Sequence, residues 1–168
     1  MKFGSKRKNE KLQREFAREW AKKQTGFDLL KASVAGDTDQ LRAMLMPSPH
    51  HGRTYDTELW FAVETFLMVA HRIPAVIEHL KEHRRFAPDT ARQAFTSAID
   101  SAQRGTPQAF MGGNSTGQAM LVVSLVSAIA VDEAALKLAC ELLGDTATQR
   151  PLGCTCNGRA EQCPGSTA

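Results

Sequence analysis

Two histidines and a glutamate near the middle of the chain have the spacing of a metal site. His79 and His83 are four residues apart, and Glu82 lies between them. Side chains four residues apart share one face of an α-helix, so two imidazoles at this spacing can bind one zinc ion. A neighbouring carboxylate can accept a proton from the zinc-bound water. The spacing is therefore consistent with a zinc hydrolase in which Glu82 is the candidate catalytic base.

The segment HLKEH from His79 to His83 resembles the H-x-x-E-H motif of the inverted zinc proteases. That resemblance implies a further zinc ligand from a glutamate on a separate helix. Glu133 and Glu141 are the downstream glutamates on a predicted helix, and the sequence does not select one of them. Basic residues follow His83 directly, and basic residues at a helix end are also favoured by the helix dipole alone. A solvated helix end therefore stays open as the alternative.

A second candidate metal site lies near the C-terminus. Cys154, Cys156 and Cys163 form a C-x-C-x6-C pattern in a segment rich in Gly, Pro and Thr. Thiolates are good zinc ligands, and a flexible backbone can wrap around the ion. The pattern resembles a shortened form of the zinc-binding tail C-x-C-x8-C followed by Cys or His, found in secretion-linked and other bacterial proteins, and so implies structural zinc. Pro164 stands at the place of the last ligand. Candidates for a fourth ligand are Cys140, His50 and His51; the alternative is a disordered tail with free thiols.

Basic residues are concentrated at the N-terminus. The formal net charge is +3, but residues 1–23 hold nine bases and three acids, so the rest of the chain has a charge of −3. Leu12, Phe16 and Trp20 recur every four residues there, which predicts an amphipathic helix that ends at Gly26. Its apolar residues are a candidate for docking on a membrane surface or a partner, and its basic face is a candidate for binding nucleic acid phosphates or another anionic surface. The candidate anion-binding residues are Lys6, Arg7, Lys8, Lys11, Arg14 and Arg18. The alternative is that the apolar residues cap the following domain while the charges are solvated.

The composition is that of an ordinary globular protein. Of 168 residues, 42% are hydrophobic and 23% are charged, which excludes collagen-like and fully disordered chains. Four cysteines, three of them in the last 15 residues, do not form a fold-wide disulfide framework, so we expect a cytoplasmic location. Residues 1–23 contain no apolar core of a signal peptide. The longest uncharged apolar run, residues 119–131, is too short to span a bilayer and predicts a buried helix.

Helical spacing of apolar residues continues from Phe27 to Gly144, and strand alternation is almost absent. Asp37 and Asp89 are predicted helix N-caps, and turns are expected near residues 36, 73, 105 and 131. We therefore predict an all-α fold of four stacked helical hairpins. The predicted regions are a basic N-terminal helix (1–25), a helical-hairpin domain (27–144) and a flexible, irregular Cys-containing tail (145–168).

The first hairpin resembles an ankyrin repeat. Residues 32–45, with the sequence ASVAGDTDQLRAML, have small residues and then a glycine before an acidic residue and a leucine-rich helix. This resemblance, which covers residues 29–45, implies that Gly36 is the turn glycine and that Leu41 and Leu45 form the core of the second helix. Ankyrin repeats stack into a solenoid, and a generic helical bundle is the alternative.

Stacked hairpins build an extended surface, so the predicted fold favours non-catalytic binding of another protein over catalysis. The candidate partner-binding residues are Tyr55, Trp60, Arg84 and Arg85. Trp60 also lies on an apolar helix face, where a core position is the alternative. Nucleic acid binding through the N-terminal helix and zinc-dependent hydrolysis are the alternative functions.

Overall fold

A computed structural model describes residues 3–45, 57–107 and 115–144. These residues form seven α-helices and no strand, so the predicted all-α class is confirmed. In chain order the helices are α1 (Phe3–Val34), α2 (Thr38–Leu45), α3 (Thr57–Arg72), α4 (Pro74–Phe86), α5 (Asp89–Arg104), α6 (Ser115–Val131) and α7 (Glu133–Leu143).

The first helix is a single element of 32 residues, so the predicted helix end at Gly26 is wrong. Gly26 is buried within α1, and a Cβ placed on it would lie 2.5 Å from Cδ2 of Leu143 in α7. The glycine therefore permits a close approach of two helices and does not end one. Accordingly, no break in the helix marks the expected boundary between residues 1–25 and 27–144.

The turn between α1 and α2 has the predicted geometry. Gly36 has a φ of 66°, in the left-handed region that favours glycine. The Asp37 carboxylate accepts a hydrogen bond of 3.0 Å from the N–H of Gln40, which satisfies one of the free amides at the start of α2. Leu41 and Leu45 are buried, as expected for the second helix of this pair.

Two later helix boundaries agree with the sequence pattern and one does not. Gly105 ends α5 with a φ of 68°, and Asp132 caps α7 by accepting the N–H of Ala135 at 2.8 Å. Asp89 is not the N-cap of α5, because it is already the first helical residue and Pro88 occupies the cap position. Its carboxylate still favours the start of the helix, since a negative charge there complements the helix dipole.

The core lies around α3 and α6. α6 contacts α1, α3, α4, α5 and α7. α3 contacts α1, α4, α5, α6 and α7. Phe66 and Leu67 of α3 and Leu125 and Ile129 of α6 are fully buried. One shared hydrophobic core therefore joins helices from the whole described chain.

The predicted stacking of successive hairpins is not confirmed. In a linear stack each helix pair contacts only its neighbouring pairs, whereas α1 contacts both α6 and α7. The helix axis turns by 110° between α3 and α4 and by 111° between α6 and α7. Antiparallel neighbours in a bundle would turn by roughly 160°. These two pairs are therefore splayed.

Within residues 3–45, 57–107 and 115–144, no helix alone is both long and apolar enough to cross a membrane. The splayed pairs α3–α4 and α6–α7 meet the length and composition criteria only when their two helices are taken together.

Candidate functional site

The N-terminal half of α1 is not covered by the rest of the molecule. Every residue from Lys6 to Trp20 is exposed, whereas Leu29, Leu30 and Ala32 further along the same helix are buried. We refer to residues 6–20 as the arm and to the remaining described residues from Ala21 onward as the body. At 1.5 Å per residue, the arm is about 22 Å long.

One face of the arm is apolar. Leu12, Phe16 and Trp20 are 54%, 73% and 51% exposed, and their spacing of four residues places them along one line of the helix. We call these three residues the apolar stripe. Glu15 and Glu19 border a shallow surface depression beside Phe16. Since large apolar side chains are usually inside a folded protein, this exposed line is a candidate binding surface.

The opposite face of the arm is basic. Arg7, Lys11, Arg14 and Arg18 are exposed, and their spacing of four, three and four residues places them in an arc of about 60°. We call these four residues the basic row. Its centre lies about 180° from Phe16 around the helix. Four of the six predicted anion-binding residues thus lie in one row. The other two, Lys6 and Lys8, are also exposed but lie on the two sides of the helix, outside the row.

The charges of the basic row are poorly compensated. Lys11 Nζ lies 3.8 Å from Glu15 Oε1, but among the described residues no ion pair involves Arg7, Arg14 or Arg18. Like charges three or four residues apart repel each other on a helix. Bases near a helix N-terminus also oppose the helix dipole, and the first turn of α1 contains no acid. The row therefore maintains positive charge at a cost to helix stability.

Contacts of α1 with the other helices begin directly after the arm. Lys22 Nζ lies 2.9 Å from Glu19 Oε1 and 5.6 Å from the centre of the Phe61 ring on α3. The Thr25 hydroxyl donates a hydrogen bond to the carbonyl oxygen of Ala21 (3.1 Å). One turn further, Gly26 packs on Leu143. The contacts of Lys22 with Phe61 and of Gly26 with Leu143 join α1 to α3 and α7, and they fix the direction in which the arm leaves the body.

The candidate zinc-binding histidines lie side by side, as their spacing predicts. The ring centres of His79 and His83 are 4.1 Å apart. His83 Nδ1 and Ser124 Oγ of α6 share a hydrogen bond of 2.7 Å, whereas His79 Nε2 is buried and makes none. Burial, and then the neighbouring His83, lower the pKa of His79, although Glu82 partly opposes this. His79 is therefore mainly neutral at pH 7.

No third ligand joins this histidine pair in the part of the chain that the structure describes. There, no three side chains of His, Cys, Asp or Glu come together at distances that would hold a metal ion. Neither Glu133 nor Glu141 is thus brought to His79 and His83. Glu82 is exposed. Zinc hydrolysis at this place stays a prediction from sequence, and the observed role of His83 is a contact between α4 and α6.

The predicted partner-binding residues do not share one environment. Trp60 is half-buried near the start of α3, which leaves both of its interpretations open. Arg84 is half-buried and its Nη1 lies 3.4 Å from Thr96 Oγ1 on α5, whereas Arg85 is exposed. Tyr55 lies outside the described residues.

The candidate zinc site of the tail, Cys154, Cys156 and Cys163, also lies outside the described residues, as do His50 and His51. Its zinc binding stays a prediction. Cys140, on α7, is half-buried, and burial together with Glu141 raises its pKa. The role of Cys140 as a fourth ligand stays a prediction.

Sequence reasoning did not find the contact between His83 and Ser124, which are 41 residues apart. The pair has the residue types of a nucleophile and its base, but Ser124 is buried inside α6 and closed to a substrate. Two apolar residues of the body, Phe86 and Val131, are 83% and 80% exposed. They provide matched controls for the exposed residues of the arm.

Comparison with known proteins gives no relative from which a function can be carried over. No protein family, curated protein or solved structure matches the chain. Function must therefore be inferred from the geometry of the molecule, in which the arm is the feature least explained by folding alone.

Proposed function

We propose that the chain is a non-catalytic binding protein that docks on another protein through the apolar stripe of its arm. The observation that supports this proposal is the exposure of Leu12, Phe16 and Trp20 along one line of a helix that the body does not cover. We therefore take these three residues as the first candidates for partner contact, and partner binding by Tyr55, Trp60, Arg84 and Arg85 stays a prediction.

The apolar stripe has the chemistry of a helix that binds in a groove. Partner helices recognised in this way present apolar anchors at intervals of three or four residues. Burying a Leu or Phe side chain fully contributes about 1.5–3 kcal/mol, and Trp is among the residues that contribute most to interfaces. We therefore expect the partner to present an apolar groove about 12 Å long, the rise from Leu12 to Trp20.

The body is proposed to act as the anchor of the arm. Gly26 allows α1 to lie directly against Leu143, and Leu29 and Leu30 are fully buried. The contacts of α1 with α6 and α7 favour a helical bundle over the ankyrin-like solenoid, because a bundle joins the first and last helices. A rigid base of this kind reduces the conformational entropy that the arm loses on binding.

The proposal is tested with a partner captured on immobilised full-length protein, identified, purified and titrated against the free chain. The triple variant Leu12→Ala, Phe16→Ala, Trp20→Ala is expected to raise the dissociation constant of the complex at least 100-fold. The matched control is Phe86→Ala with Val131→Ala, which removes exposed apolar surface from the body and should change the dissociation constant less than threefold.

Trp20 fluorescence gives a second readout of the same contact. In a Trp60→Phe background, Trp20 is the one remaining tryptophan, so its emission should shift to shorter wavelength when the partner covers it. A partner that binds the triple alanine variant as tightly as the unmodified chain would contradict the proposal. So would equal losses of affinity in the triple variant and in the body control.

A further inference from the structure

The basic row is a second surface of the arm, separate from the apolar stripe. Its four residues, Arg7, Lys11, Arg14 and Arg18, occupy one arc of the helix, and Glu10, Glu15 and Glu19 all lie outside that arc. Three consecutive pairs of like charges, at spacings of four, three and four residues, repel each other and weaken the isolated helix. An anionic ligand that lies along the row would remove this repulsion.

We propose that the basic row binds the phosphodiester backbone of nucleic acid. From Arg7 to Arg18 the row rises about 16 Å, and over this length of its axis a duplex carries roughly ten phosphates on its two strands. The long, exposed side chains of the row can each reach a phosphate on the side of the duplex that faces the arm. Arginine and lysine are the residues that make most contacts to phosphate oxygens, and contacts of this kind do not depend on base sequence.

The positions of the charges favour nucleic acid over an anionic membrane. A helix that lies in a membrane surface inserts its apolar face and keeps its bases at the edges of that face. If Phe16 pointed into lipid, the basic row would point about 180° away, toward water. Glu15 and Glu19, which border Phe16, would then face the anionic headgroups. Lys6 and Lys8, on the two sides of the helix, suit a membrane surface, but the four charges of the basic row would point away from it.

This inference goes beyond the proposed protein docking and does not depend on it. The two surfaces lie on opposite faces of one helix, so nucleic acid on the basic row leaves the apolar stripe accessible. The chain would then connect a protein partner to nucleic acid. Substitutions in the row should not change protein docking, and alanine substitutions in the stripe should not change nucleic acid binding, so the two proposals can fail separately.

The experiment is a titration of fluorescein-labelled 20-base-pair DNA and RNA duplexes with the full chain, followed by anisotropy at 50–200 mM NaCl. Four phosphate contacts predict a slope of about −3.6 for the logarithm of the DNA association constant against the logarithm of salt concentration. Affinity should thus fall about 150-fold over this range. Binding of DNA and RNA with similar affinity indicates backbone contact alone, and a preference for one identifies which nucleic acid is bound.

The matched variants have the same net charge and remove bases from different faces of the helix. Arg7→Gln with Arg14→Gln removes two members of the row and should reduce the slope to about −1.8. Lys6→Gln with Lys8→Gln removes two bases beside the row and should leave the slope near that of the unmodified chain. Circular dichroism checks that both variants keep the helical body.

Three results would overturn the proposal. The first is no binding of either duplex at 50 mM NaCl and 50 µM protein. The second is an equal change of slope in the two double variants, which would show a diffuse charge effect without a row. The third is tighter binding to vesicles of 70% phosphatidylcholine and 30% phosphatidylserine, or to polyglutamate, than to both duplexes.

Discussion

The two halves of α1 are one helix with two different sources of stability. Residues 6–20 are exposed throughout, whereas Leu29 and Leu30 in the second half are fully buried. Isolated helices of this length are marginal in water, and most helical stability in proteins comes from the packing of one face. The second half is therefore held by the core, and the arm is held mainly by its continuity with that half.

This difference indicates that helix formation alone does not explain the arrangement of exposed side chains along the arm. The sequence of the arm places apolar side chains on one face and bases on the opposite face, although neither face is used by the body. In the second half the same helix uses its apolar residues for folding. Both surfaces of the arm are therefore accessible for the binding proposed above.

The largest expected difference between the halves is in the unfolding free energy lost when a leucine is replaced by alanine. Leu30→Ala removes a fully buried side chain and should lower the free energy of unfolding by about 2–5 kcal/mol. Leu12→Ala, the same substitution in the arm, should change it by less than about 0.5 kcal/mol. Urea denaturation of both variants measures this difference. Similar losses in both would show that the arm packs on the body.

A second comparison concerns the helix contact at Gly26. Gly26→Val places a branched side chain against Leu143 and should cost about 1–3 kcal/mol of unfolding free energy through overpacking. Ala17→Val in the exposed arm is the matched control and should cost only the few tenths of a kcal/mol expected from helix propensity. Thermal denaturation measures both. In a double-mutant cycle, Leu143→Ala should remove part of the cost of Gly26→Val, and strictly additive losses would contradict the contact.

The contacts at the junction between the two halves of α1 are expected to contribute less to the free energy of unfolding than the contact at Gly26. Lys22→Ala removes the ion pair with Glu19 and the cation–π contact with Phe61, and should lower the free energy of unfolding by about 0.5–1 kcal/mol. Lys23→Ala is the neighbouring control, and urea denaturation gives both values. A larger loss at Lys23 than at Lys22 would show that the junction is fixed by other contacts.

The smallest expected effect is a pH dependence of stability that comes from the body, because the arm contains no histidine. The pKa of His79 in the folded body is lowered by burial, so below about pH 6.5 the unfolded chain binds the proton more readily. Stability should therefore fall as pH decreases from 7.5 to 5.5. The decrease should be smaller in His79→Leu than in the unmodified chain, as measured by urea midpoints at the two pH values. An identical pH dependence in both proteins would contradict this account.

Local signals were the part of the fold that the sequence predicted well. The Gly36 turn, the Asp37 cap and the Gly105 helix end all depend on residues within one helical turn of each other. Gly26 shows the limit, because its role depends on Leu143, more than 100 residues away in the sequence. A glycine needed for close helix packing and a glycine that ends a helix cannot be distinguished without that distant partner.

The candidate site shows the same limit, because local sequence patterns predict only part of it. The periodicity of Leu12, Phe16 and Trp20 predicted one apolar face of a helix, but it did not show whether the body covers that face. The pairing of His83 with Ser124 depends on how α4 packs on α6, and no local spacing encodes it. Exposure and long-range contacts are properties of tertiary packing, so both required the structure.

Hydrogen exchange of the backbone amides of α1, resolved by mass spectrometry or NMR, tests the division of this helix most directly. The account predicts strong protection for residues 27–34, close to that of global unfolding, and a sharp decrease before Ala21, with fast exchange throughout residues 6–20. Equal protection along the whole of α1 in the free chain would contradict the existence of an arm that is held apart from the body.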